Sequence, residues 1–191
     1  MNPTVENVLS VYRSASAAQV HAGMEWYINA HEYAKSLDSR FHRAAGVIAA
    51  LSPMNQWDNN MTKAARVYAQ QGIIEWRGTK NGIGLANNVR KAVAIYNGDD
   101  ALDVLGGDKV RAFFLSIADP AGDHPIVIDR HAFDVAVGKR TNDKVRRSLE
   151  RKGEYERFST AYRDAAYIVG IGPAQLQAVT WCAWKGRHGL V

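Results

Sequence analysis

Apolar residues recur along this chain with the spacing of helices. Ala44, Val47, Ile48 and Leu51 stand at i, i+3, i+4 and i+7, as do Val89, Ala92, Val93 and Tyr96, and again Val110, Phe113, Phe114 and Ile117. Each set makes one apolar stripe on a helix of 3.6 residues per turn. Breakers between the stripes read as caps: Asn97-Gly98 closes one helix, Asp99/Asp100 opens the next, Gly138 ends another, and Gly172-Pro173 precedes the last. The pattern predicts about nine or ten short helices. Only Ile126 to Ile128 reads as extended, so no sheet is expected and the fold class is all-α.

A chain of 191 residues suffices for one compact unit or for two small lobes sharing a cleft. It contains no internal repeat and no low-complexity linker. Gly78, Gly82 and Gly84 loosen the pattern and suggest a soft boundary near Thr79 to Gly84, with another near Thr141. The expected arrangement is a single unit of two lobes, one from 82 to 138 and the other from 1–81 and 139–191, with function in the groove between them.

The formal charge is +5 and the sequence pI about 9.4. Basic residues recur in groups, among them Arg90/Lys91, Lys139/Arg140, Lys144/Arg146/Arg147 and Arg151/Lys152. This balance suits phosphate contacts, and it also suits many globular proteins that touch no nucleic acid. Cys182 is the only cysteine, which excludes an internal disulfide and a cysteine-held iron–sulfur cluster or zinc ribbon. The histidines show no paired spacing that would hold a metal, so no metal and no cofactor are expected. No run reaches the roughly 18 to 20 apolar residues of a membrane span, and the N-terminus lacks the basic start and apolar block of a signal peptide. The expectation is a soluble, cytoplasmic monomer.

Candidate chemistry concentrates in LGGDKVRAFFLSIADPAGDHPIVIDRHAF, residues 105 to 133. Residues 100 to 105 and 109 to 118 read as two helices joined by Gly106-Gly107-Asp108. The glycines allow positive φ and close backbone approach, and the amides opening the second helix suit a phosphate oxygen. The same glycines equally serve a plain corner between core helices. Further on, the apolar run Ile126-Val127-Ile128 leads to Asp129 at the mouth of a helix beginning with His131, Ala132 and Phe133. Such a carboxylate is either an N-cap or a group presented to solvent to face a developing cation. Ile168-Val169-Gly170-Ile171-Gly172-Pro173 is a rival turn, read as a helix end followed by a proline start. Trp26/Tyr27 and Trp181/Trp184 read as packing aromatics.

The pairing of turn and carboxylate resembles the helix-hairpin-helix base-excision glycosylases of the endonuclease III superfamily, whose pattern runs LPGVGxKTA and later VDTHxxR. Leu105-Gly106-Gly107 stands at the first motif and Val127-Ile128-Asp129-Arg130-His131 at the second, while AAGVIAALSPMNQWDNNMTKAARVY at 44 to 68 is similar to the family's helix–LLSAQATD–helix segment. The chain departs from the pattern in having Asp108-Lys109 where the hairpin's second glycine falls, and it lacks the cluster cysteines. Aligned without gaps, Arg111 occupies the position of the lyase-branch lysine, and an arginine forms no Schiff base; a shift of two residues brings Lys109 there.

What the resemblance implies is an all-α, two-lobed fold that binds DNA and hydrolyses an N-glycosidic bond once the target base has left the stack. Asp129 is the implied catalytic carboxylate, with Lys109 as a phosphate contact or a lyase amine. Gly106, Gly107, Asp108, Lys109, Arg111 and Arg130 are the implied DNA contacts. Met54, Asn55, Gln56, Trp57 and His131 are candidates for the base pocket, although the loop at 52–57 also reads as a capped turn over a buried tryptophan. MEWYINAHEYAK near the start and PAQLQAVTWCAWK near the end resemble a group of bacteriophage proteins of this superfamily, some linked to thymine hypermodification. That resemblance implies a phage setting in a bacterial host and leaves two alternatives open: base modification without excision, and a DNA-binding module without chemistry.

Overall fold

The computed structural model describes residues 1–74 and 85–190, and its fold class is all-α, with no strand among the described residues. In order the helices are α1 (Val5–Arg13), α2 (Ala17–Leu37), α3 (Phe41–Leu51), α4 (Trp57–Ala69), α5 (Ala86–Asn97), α6 (Ala101–Val104), α7 (Asp108–Ala118), α8 (Arg130–Val137), α9 (Asp143–Arg146), α10 (Glu154–Val169) and α11 (Pro173–Arg187), with a 3-10 turn at Arg147–Glu150. The expected punctuation is where these helices end. Gly98 and Gly138 close α5 and α8 in left-handed conformation, Asp100 caps α6 by accepting from the Leu102 amide, and Pro173 occupies the first turn of α11. No helix among the described residues is long and apolar enough to cross a membrane.

The chain divides into two compact units, Met1–Ile28 with Ala121–Val191, and Asn29–Pro120. This corrects the expected lobes. Residues 29–74 join the unit that carries the 106–107 turn, and 121–138 join the unit built from both ends. The boundary expected at Thr79 to Gly84 lies outside the described residues. Thr141 is no boundary: its amide and hydroxyl both donate to Asp134 Oδ1, at 3.1 and 2.5 Å.

The central unit, Asn29–Pro120, is organised around α3, whose residues Ala44 to Leu51 are all buried. Its small side chains let α4, α5, α6 and α7 pack against it closely. A Cβ on Gly46 would stand 2.9 Å from both Ala101 Cβ and Ile95 Cγ2. The α5 stripe is turned from the predicted one: Val89, Ala92 and Ile95 are buried, whereas Val93 and Tyr96 are half-buried. Tyr96 has another use. Its carbonyl accepts from Arg43 Nη1 at 2.9 Å and its ring lies 5.1 Å from that guanidinium, which also grips Asp38 through Nε at 2.7 Å.

In the terminal unit, α1, α8, α10 and α11 enclose a core that includes Val8, Leu9, Phe133, Phe158, Tyr162 and Leu176. Phe133 and Phe158 stack with centroids 4.5 Å apart. The first part of α2 meets α11 at Gly23, where a Cβ would lie 2.4 Å from Val179 Cα. Only glycine permits that approach.

Candidate functional site

Asp129 is delivered to the surface of the terminal unit by a buried segment that belongs to no regular element. Ile126, Val127 and Ile128 are buried and belong to no ladder, and a buried backbone group without a partner is costly. One phenol meets the need at two positions. Tyr155 Oη donates to the Ile126 carbonyl at 2.7 Å and accepts from the Ile128 amide at 3.1 Å. The chain then turns into α8, whose first turn is fixed by Tyr162 Oη donating to the Ala132 carbonyl at 3.1 Å.

The Asp129 carboxylate is half-buried. Oδ1 accepts from the His131 and Ala132 amides at 2.9 and 2.8 Å, the geometry of a helix N-cap, and Oδ2 accepts from Trp181 Nε1 on α11 at 3.2 Å. The N-cap reading of this residue is therefore met. One oxygen caps α8, while the other is steered by an indole.

A polar and aromatic shell surrounds it. His131 is buried, and its Nε2 accepts from Arg130 Nε at 3.2 Å, so the ring proton sits on Nδ1. Burial pushes the His131 pKa down; Arg130 and Lys185 push the same way, against the carboxylates of Asp129 and Asp134. Trp181 lies edge-on to His131 and Trp26, each 6.3 Å between centroids, and carries Lys185 Nζ 4.2 Å from its own ring centroid. Tyr27 Oη donates to Gln177 Oε1 at 2.9 Å within the same unit. Burial raises its pKa, and the Asp129 and Tyr155 charges add to that. Such a shell holds a negative charge at a fixed place beside aromatic faces, which suits a neighbouring centre that becomes positive. Among the described residues, no three His, Cys, Asp or Glu side chains gather as they do around a metal ion.

The central unit holds the other predicted residues. Asp108 is the first residue of α7, so the turn consists of Leu105, Gly106 and Gly107; this corrects the expectation that Asp108 belongs to the connection. Leu105 is buried and anchors the turn, whereas Gly106, Gly107 and Asp108 are exposed and Gly107 has φ +80°. Arg111 Nε donates to the Leu105 carbonyl at 2.9 Å, closing the turn and leaving the exposed guanidinium its Nη donors. Lys109 is half-buried in the first turn of α7.

The 54–57 loop lies in this unit too. Met54 is 92% exposed at φ 65°, a backbone conformation unusual for a side chain of that size. Asn55 is occupied by the helices on either side of it, with Nδ2 donating to the Leu51 carbonyl of α3 and Oδ1 accepting from Lys63 Nζ of α4. Gln56 is exposed and precedes α4 without capping it, while half-buried Trp57 meets Tyr33 edge-on at 6.3 Å.

Sequence reasoning places Asp129, Arg130 and His131 together at the mouth of α8 but misses the partners of the carboxylate. Trp181 was expected only to pack, as Trp184 does at 3% exposure. Its spacing of four from Lys185 on α11 was the one available sign that this face is polar. Tyr155 carries no sign at all in the sequence.

No curated protein and no solved structure matches the chain. One family profile does, over residues 1–188.

Proposed function

The chain belongs to a family of unknown function, DUF7178, and for this member we propose a DNA-binding base-excision glycosylase that hydrolyses the N-glycosidic bond of a damaged or modified base. The observation that carries the reading is the Asp129 carboxylate, half-exposed and held by two amides and an indole N–H. As the bond between C1′ and the base nitrogen breaks, its electron pair leaves with the base and the sugar becomes cationic. The fixed carboxylate opposes that charge, water adds at C1′, and the proton the water loses balances the departing base. Base flipping precedes this step, since the bond is inaccessible within the stack.

The exposed Gly106-Gly107 turn at the start of α7 supports a role in gripping the backbone: amides there reach a phosphate without reading sequence. Lys109 and Arg111 add charge beside it. A lyase role for the Lys109 amine predicts a covalent adduct with abasic DNA that borohydride traps, and a pure glycosylase gives none.

The test compares wild type with Asp129→Asn on duplexes carrying uracil, oxidised bases or hydroxymethyluracil, and on phage DNA. Asparagine still caps a helix, so α8 stays formed while the negative charge goes. Base release should fall roughly a hundredfold or more. Release that survives the substitution removes Asp129 from the chemistry, and absence of release from every substrate by wild type defeats the glycosylase reading.

A further inference from the structure

We infer that residues 139–152 form a second DNA-backbone contact surface, in which Lys139, Arg140, Lys144, Arg147, Arg151 and Lys152 bind the phosphates flanking the reacting nucleotide. The inference rests on the DNA-binding reading above and extends it to a surface outside the turn and the carboxylate.

The charge is concentrated rather than scattered. This stretch holds seven basic and two acidic residues, a net charge of +5 that equals that of the whole chain. The rest of the sequence is electrically balanced. Of the seven cations only Arg146 is inward and paired, to Asp134 Oδ2 at 2.8 Å and Asp143 Oδ1 at 2.9 Å. The other six are exposed, and none takes part in an ion pair among the described residues. Six like charges left without partners within 14 positions repel one another, a cost that a polyanion removes.

The stretch is also a built surface, not a loose tail. Asp134 is buried, and it gathers Arg146 and both donors of Thr141, while the Lys139 amide donates to the Asp134 carbonyl at 3.1 Å. Arg146 Nη2 reaches back to the Thr141 carbonyl, and Asn142 caps α9 by accepting from the Val145 amide. Burial alone would lower the Arg146 pKa, but the hydrogen-bonded Asp134 carboxylate raises it overall. One guanidinium is thus spent on holding the turn after α8 against α9, the two segments that carry Lys139, Arg140, Lys144 and Arg147. The apolar residues Val145 and Leu149 pack inward against the core. No exposed large apolar side chain among the described residues lies in this stretch, so the face engages its ligand by charge. A run of exposed cations on an ordered backbone suits the closely spaced phosphates of a duplex.

The test measures duplex binding by anisotropy over a series of salt concentrations, using the full chain. One variant combines Lys139→Ala, Arg140→Ala, Lys144→Ala and Arg147→Ala. A matched control combines Arg13→Ala, Lys35→Ala, Arg40→Ala and Arg163→Ala, which removes the same formal charge from cations already in ion pairs. The first variant should bind about tenfold or more weakly at moderate salt, with a log–log salt slope shallower by about 2 to 4; the control should stay near wild type. Arg140→Ala and Arg147→Ala singly should each lower the slope by about 0.9, which keeps the test valid if the quadruple variant folds poorly. Wild-type affinity and slope in the patch variant, or an equal loss in the control, overturn the inference. So does patch-dependent binding to phosphatidylserine vesicles in place of duplex. The two readings fail separately: duplex binding that depends on the patch, with no base released, leaves the surface standing without the glycosylase. Asp129-dependent release with unchanged duplex affinity in the patch variant leaves the reverse.

Discussion

Trp181 Nε1 donates to Asp129 Oδ2 at 3.2 Å across 52 residues of sequence. The bond leaves neither carboxylate oxygen free to swing, because Oδ1 is already committed to two amides of α8. The indole is itself held in place, with Trp26 and His131 at its edges and the Lys185 ammonium against its face. A group meant to oppose a developing cation works best when it needs no reorganisation, and this arrangement supplies that rigidity.

Trp181→Phe tests the relationship while keeping most of the ring. The lost N–H should cost about 1 kcal/mol of stability, below the usual range for a bond to a charged group because the carboxylate is half-exposed. Base release should fall roughly fivefold or more with little change in duplex affinity. A variant with unaltered release shows that the amides alone position Asp129.

Tyr155→Phe removes the hydroxyl that bridges the Ile126 carbonyl and the Ile128 amide. Two buried backbone groups then lose a partner, and the expected cost is about 1–3 kcal/mol in urea unfolding, with an unchanged m-value. Release should fall as well, since the segment that presents Asp129 loosens. Loss of stability without loss of activity would place Tyr155 in the scaffold only.

Local signals explain what the sequence makes legible. The ends of α5, α6, α8 and α11 follow from Gly98, Asp100, Gly138 and Pro173, each of which acts on residues within a turn of itself. Asp129 is legible for the same reason, as an acidic residue between an extended apolar run and a helix. Its partners are not, because Tyr155 and Trp181 reach it through tertiary packing that no period encodes. The division of the chain is not legible for a similar reason. Composition loosens near residue 80, yet packing on α3 unites α4, α5, α6 and α7, and the Asp134–Arg146 network binds across the boundary expected at Thr141.

The buried His131 gives stability a pH dependence. Its folded pKa lies below the ordinary 6.5, so the unfolded chain takes up the proton first as pH falls. The contribution is complete above about 6.5 and is lost as pH drops toward the folded value. The urea midpoint of wild type should therefore decline as pH falls below about 6.5, and His131→Asn should flatten that decline. Asp38 acts in a separate window. Burial would raise its pKa, but the Arg40 amide and the Arg43 guanidinium bring it below 3.8 overall, and its contribution fades only as pH falls below that. An unchanged slope in His131→Asn below about pH 6.5 would assign the decline to other groups.

Two glycine turns compete for the phosphate, and one pair of substitutions separates them. Gly107 before α7 and Gly170 after α10 have φ of +80° and +71°, and a Cβ at either meets nothing within 4 Å. Alanine therefore introduces backbone strain without a clash, about 1 kcal/mol at Gly170, which is left-handed with ψ 31°, and up to about 3 kcal/mol at Gly107, whose ψ of 138° only glycine adopts readily. The strain is greater at Gly107, so duplex binding is read against each variant's own melting temperature, and the surroundings differ. If the α6–α7 turn holds the DNA backbone, Gly107→Ala should weaken duplex binding several-fold by disturbing amides that must approach the phosphate closely, while Gly170→Ala should melt earlier and bind normally. The opposite pattern transfers the grip to the turn before α11, the helix that also supplies Trp181 to Asp129. Clamp and carboxylate would then belong to one unit, and the resemblance of residues 105–107 to a hairpin would carry no functional weight.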